Sequence, residues 1–139
     1  MWLQKSVKLQ AKPRGFHLVS DEILKAFPEI STIHVGLLHL FLQHTSASLS
    51  INENADSSVR RDMESHFNQL APEDSPYYEH TYEGSDDMPA HIKSALLGCE
   101  MSLPIAQGSL KLGTWQGIYL GEHRNSASAR TLIATLTGE

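Results

Sequence analysis

The chain has 139 residues, of which 40% are hydrophobic, and carries a formal net charge of −5 from 11 Lys plus Arg against 16 Asp plus Glu. A chain of that length suits one domain that buries roughly two-thirds of its unfolded surface, and its scattered basic residues do not form the stripe that a nucleic-acid backbone requires. No apolar run approaches the ~20 residues of a membrane-spanning helix, no export leader is visible in the first ten residues, and Cys99 is the lone cysteine, so the chain reads as a cytoplasmic protein without an internal disulfide.

Leu3, Val7 and Leu9 alternate with polar residues and predict a half-buried first strand, followed by a turn at Pro13-Arg14-Gly15. Phe16 to Val19 reads as a short strand. Ser20 is the expected N-cap of a short helix with Asp21 and Glu22 in its first turn and Pro28 as its stop. From Ile33 to His44 both faces are apolar, the pattern of a central strand covered on both sides, and Ala47 to Ile51 reads as the next strand. Asp56 or Ser57 caps a second helix with Val59, Met63, Phe67 and Leu70 in one apolar stripe, ended by Pro72. The stretch "PEDSPYYEHTYEGSDD" is a long polar loop, of the kind that is usually functional. A third helix follows, capped by Asp86 or Asp87, with Pro89 in its first turn and Gly98 past its end. Short strands with turns at Gln107-Gly108, Gln116-Gly117 and Asn125 complete the chain. The order predicts an α+β domain, mainly antiparallel sheet or sandwich with two to three helices.

Eight histidines stand out, twice the number of phenylalanines. His44, in "LQHTSASLSINEN", stands where a central strand breaks into hydroxyl residues. Those hydroxyls suit a plain turn or a polar ligand. A serine nucleophile is disfavoured, because there is no Gly-x-Ser-x-Gly elbow and neighbours along a strand point to opposite faces. His91 lies one turn beyond Asp87 at a helix start, whereas Lys93 is about 200° round the helix from it and serves a different neighbour. His80 gains interest from its company, since His44, His80 and His91 all stand at element edges near Glu53, Glu79, Glu83 and Asp87. Three histidines with an open fourth position describe a catalytic zinc site, although no His-Glu-x-x-His spacing supports it. His34, His39 and His66 read as structural, with His17 and His123 as extras. Gly113-Thr114-Trp115-Gln116-Gly117 reads as a hairpin with an aromatic anchor, or as a pocket or subunit contact.

Three blocks, "LQHTSASLSINENAD", "YYEHTYEGSDDMPAHIKSALLG" and "LPIAQGSLKLGTWQGIYLGEHR", together resemble the YjbQ-like family, whose members are often labelled secondary thiamine-phosphate synthases. The resemblance spans essentially the whole chain. It implies an α+β fold dominated by antiparallel strands, a homotrimer and a histidine-lined, metal-capable site. Residue by residue, it falls on His44 with Thr45 and Ser46, on Asn52, Glu53 and Asp56, on His80, on His91 with Lys93, on Gly113 to Gln116 and on Arg130. The link from Ser85 to Ala90 leaves Asp86 and Asp87 as alternatives for the family's acid, and "GEHRNSASAR" departs from the segment many relatives carry. The implied reaction joins a pyrimidine diphosphate to a thiazole phosphate and releases pyrophosphate. Without an aspartate cluster for magnesium, that synthesis is expected as a side activity.

The resulting expectation is a trimeric, metal-dependent enzyme acting on a small phosphorylated or anionic substrate. His44, His80 and His91 are the expected ligands of a divalent metal, zinc first and magnesium second. Glu53, Asp87 and Lys93 are the candidate catalytic groups, and Thr45, Ser46, Asn52, Lys93 and Arg130 would meet the substrate anion. A metal-dependent hydrolase and a non-catalytic metal or metabolite binder are the alternatives. No nucleic-acid or membrane partner is expected.

Overall fold

The structure is a computed structural model and describes residues 1–139. The alternating start of the chain forms β1 (Trp2–Lys8), which pairs antiparallel with β8 (Thr131–Gly138) at the other end of the sequence. β8 in turn pairs with β3 (Val35–Leu42), and β5 (Glu100–Ala106) and the short β6 (Ser109–Leu110) complete a five-stranded sheet of order β1-β8-β3-β5-β6. A second sheet places β7 (Gln116–Glu122) between β2 (Gly15–Leu18) and β4 (Ala47–Glu53). Every pairing is antiparallel.

The inward faces of the two sheets form one contiguous core. Leu38, Leu40 and Leu42 of β3 and Leu132, Ala134 and Leu136 of β8 join Ala47 and Leu49 of β4 and Ile118 and Leu120 of β7. Truncating any of these leucines to alanine would cost about 2–5 kcal/mol through lost transfer energy and residual cavity.

Three helices complete the α+β architecture: α1 (Ser20–Ala26), α2 (Ser57–Leu70) and α3 (Asp87–Leu97). The Asp56 carboxylate caps α2 by accepting from the Ser58 N–H at 2.9 Å. The apolar stripe of α2 meets the small sheet where Phe67 packs on Phe16, with ring centroids 5.9 Å apart. Ser94 of α3 donates its hydroxyl proton to the Ala47 carbonyl at 2.8 Å, fixing that helix across the start of β4. The small sheet therefore lies between the large sheet and the two longer helices.

Four local expectations differ from the structure. Ser20 does not cap α1, because its hydroxyl accepts instead from the Ile118 N–H at 2.9 Å and ties the helix to β7. Asp86 occupies the N-cap position of α3 without capping it, since its carboxylate is drawn to Arg124 and the Asn125 N–H. The segment expected to turn at Gln116-Gly117 opens β7 there, and the preceding turn lies at residues 114–115. Finally, β3 is covered on one face only: Val35, Leu37 and Phe41 are 61%, 46% and 42% exposed, with Trp2 at 77% on the neighbouring edge. That face of β3 stays largely open to solvent in the single chain.

Candidate metal centre

The polar loop after α2 returns to the start of α3 and brings His80 against Asp87. His80 Nε2 lies 2.6 Å from Asp87 Oδ2, and His91 Nε2, one helical turn on, lies 3.1 Å from the same oxygen. One ligand atom from each of the three residues falls within 4.8 Å of the others. This spacing follows from the helix, in which positions i and i+4 share a face.

The tautomer of His91 sharpens the geometry. Its Nδ1 lies 2.8 Å from the Thr45 carbonyl oxygen, and a carbonyl only accepts, so Nδ1 carries the proton. The Nε2 lone pair then faces an anionic oxygen. That arrangement is stable only if Nε2 is also protonated, giving an imidazolium paired with Asp87, or if a cation sits where the two groups converge.

Asp87 is 2% exposed, and its second oxygen accepts from Arg124 Nη1 at 2.6 Å. Burial pushes the carboxyl upward, but the hydrogen bond from His80 and the charges of His91 and Arg124 outweigh it and hold Asp87 below its ordinary value. Arg124 also donates to Asp86 at 2.8 Å and to the Glu83 carbonyl at 2.9 Å, so it fixes both the loop and the orientation of the carboxylate. Arg124 was not legible as part of the site. It lies two residues past the end of β7, as the last residue of a block that carries the family resemblance.

His44 lies apart from these converging ligand atoms. Its Nε2 accepts from the Thr131 N–H at 2.8 Å, and its Nδ1 lies 3.4 Å from Arg130 Nη1. Burial, followed by the charge of Arg130, holds its pKa below the ordinary value. His44 and His91 nevertheless share the wall of a cleft of about 380 Å³ with Thr45, Ser94 and Cys99. Arg130 is bound by Glu122 in a two-pronged ion pair of 2.7 and 2.6 Å, in which Glu122 is fully buried. Its charge is neutralised inside the protein. Ser46 supports this pair through its carbonyl, which accepts from Arg130 Nη2 at 3.2 Å.

The remaining expected residues lie elsewhere. Lys93, fully buried, points away from His91 and donates to Asn68 Oδ1 at 2.6 Å. Burial and then the Arg14 charge hold its pKa below the ordinary lysine value. Glu53 and Asn52 sit at the far end of β4, roughly 20 Å along the strand from Ala47 at ~3.3 Å per residue. There, Glu53 accepts from the Asp56 N–H at 3.0 Å, and Asn52 Oδ1 accepts from the Glu53 N–H at 2.8 Å. A buried pair was also missed: His123 Nε2 lies 2.8 Å from Ser48 Oγ, in space kept open by Gly121, where a Cβ would stand 2.4 Å from that hydroxyl. Both residues sit in plain strand sequence 75 positions apart, so only the sheet register reveals them.

Comparison with known proteins places this chain in a family. The model of the UPF0047 YjbQ-like proteins matches residues 5–139. The chain is 57% identical to the UPF0047 protein YjbQ of Escherichia coli O157:H7 over the full length of both, and 43% identical to a UPF0047 protein of Synechocystis sp. over 98% of this chain and 92% of that one. Among solved structures, a YjbQ/UPF0047 family protein of Clostridium acetobutylicum is similar at a TM-score of 0.81 and 34% identity, covering 97% of this chain and 99% of that one. A YbjQ-like protein of Sulfolobus solfataricus P2 shares the fold at a TM-score of 0.86 and 21% identity, covering 100% and 99%. No helix of the chain is long and apolar enough to cross a membrane.

Proposed function

This chain belongs to the UPF0047 YjbQ-like family, and from that premise we propose that it is a metal-dependent enzyme acting on a small phosphorylated or anionic metabolite, with His80, Asp87 and His91 as its metal ligands. The observation that carries the proposal is the convergence of His80 Nε2 and His91 Nε2 on Asp87 Oδ2, at 2.6 and 3.1 Å, while His91 Nδ1 is committed to Thr45. Two imidazoles and one carboxylate suit zinc better than magnesium, which prefers an all-oxygen shell. Such an ion supplies Lewis acidity or an activated water when bound.

The chain's own groups set the stage for that chemistry. Arg124 holds Asp87 Oδ1 and leaves Oδ2 turned to the histidines. Asp87 then serves as a ligand rather than as the acid–base group. His44, with Nε2 occupied by Thr131, acts from the wall of the shared cleft, not as a third imidazole ligand. The trimer implied by family resemblance is proposed as well, with the uncovered apolar face of β3 as the surface a second copy would bury.

The finer proposal is synthesis of thiamine phosphate from a pyrimidine diphosphate and a thiazole phosphate, beside a hydrolase as the alternative enzyme. Turnover assays with the zinc-loaded protein distinguish them. Pyrophosphate release requiring both precursors supports the synthase, and phosphate release from single substrates supports the hydrolase. In either case Asp87→Asn should abolish turnover. Stoichiometric metal without turnover across a panel of phosphorylated metabolites would overturn the enzyme in favour of a binder.

A further inference from the structure

A second cleft, of about 470 Å³, opens between the turn before β2 and the exposed side of α2, and three arginines line it: Arg14, Arg60 and Arg61. Its size falls within the range of small-molecule sites, ~300–1,000 Å³. None of the candidate metal ligands borders it.

The charges in this cleft are unequally matched. Arg14 is held by Glu64 at 3.2 Å and Glu73 at 3.4 Å. Arg61 donates to the Ser57 hydroxyl, at 3.0 Å, and neither Arg60 nor Arg61 has a carboxylate within 4.0 Å.

Two buried atoms add a direction to this charge. Arg60 Nη1 is a buried donor without a partner, and Glu64 Oε2, four residues on and lining the same cleft, is a buried acceptor without one. Leaving such groups unpaired is unfavourable. A ligand that satisfied both would accept from Arg60 and donate to Glu64. Phosphate monoesters bearing a hydroxyl have that pair of functions, and the planar fork of arginine matches phosphate oxygens two at a time.

We propose that the Arg14, Arg60 and Arg61 cleft is a binding site for a small hydroxylated phosphate monoester, separate from the His80, Asp87 and His91 centre. Phosphate oxygens would lie against Arg60 and Arg61, and a hydroxyl would donate to Glu64 Oε2. The proposal stands independently of the metal centre, because no ligand of that centre takes part.

Titration of the full-length protein with ribose 5-phosphate and with inorganic phosphate, at constant ionic strength set by chloride, tests it by calorimetry and amide NMR. The expected result is saturable binding of both, tighter for the sugar phosphate, with shifts concentrated at residues 14–17 and 57–65. Arg60→Gln with Arg61→Gln should weaken binding by about tenfold or more, as loss of charge-assisted contacts implies. Glutamine keeps helix propensity close to that of arginine, so circular dichroism should confirm an intact α2. His91→Ala should bind both probes as the unaltered chain does. Absence of binding, equal affinity in the double variant, or shifts centred on His91 would each overturn the proposal.

Discussion

His91 and Asp87 face each other across one turn of α3, with Nε2 3.1 Å from Oδ2, while the other ring nitrogen of His91 is bound to the Thr45 carbonyl at 2.8 Å. The helix supplies the spacing, and the strand break after β3 supplies the carbonyl that fixes the ring. Neither part is informative alone. Together they turn a helix-capping sequence into a cation-capable pair, which His80 completes from the loop.

The buried Ser48 and His123 pair makes stability depend on pH. Burial, then the charges of Lys93, Arg130 and Arg14, lower the His123 pKa from 6.5 to about 3, so the ring is neutral in the folded protein across the ordinary range. Between those values the unfolded chain binds the extra proton. The stabilising contribution is therefore complete above the unfolded value and is lost as pH falls towards the folded one. At ~1.4 kcal/mol per unit, about 2–3 kcal/mol should be lost between pH 6.5 and pH 4.5. Urea denaturation of the wild type and of His123→Gln at the two pH values measures it, and parallel pH slopes for the two proteins would refute it.

Glu122 and Arg130 form the most enclosed ion pair of the fold, with side chains 0% and 9% exposed. Glu122→Gln leaves the guanidinium without its countercharge and should destabilise the protein by roughly 3–5 kcal/mol, as loss of one partner of a buried pair does. A loss below about 1 kcal/mol, the level of a surface pair, would show that the site is solvated.

The uncovered face of β3 has its own test. Leu37→Glu places a charge at the centre of the exposed apolar row without touching the inward-facing core. Sedimentation should show the wild type as a trimer and the variant as a monomer that keeps the antiparallel fold. A monomeric wild type would contradict this assignment.

Strand alternation in β1 and the helix stripe of α2 were readable because burial imposes a period on sequence, whereas the apolar run of β3 located the strand but not its one open face. The site was readable only in part. His80, Asp87 and His91 could be singled out because an Asp and a His four apart on a helix share a face, and a loop histidine stands beside carboxylates in the same stretch. Lys93 and Arg130 carried equally strong chemistry, yet the fold sets them against Asn68 and Glu122. Long-range register decided that outcome, since β7 lies between β2 and β4, and no local spacing in the chain encodes it. The same holds for Arg124, which reaches Asp87 across 37 residues.

His80, Asp87 and His91 are proposed to hold a metal ion. Elemental analysis of the purified, untagged protein, beside His91→Ala of verified fold, tests it most directly. The expected result is close to one zinc per chain in the wild type and loss of that zinc in the variant. Unchanged metal content in His91→Ala, or a wild type that takes up no divalent metal when it is supplied, would contradict it.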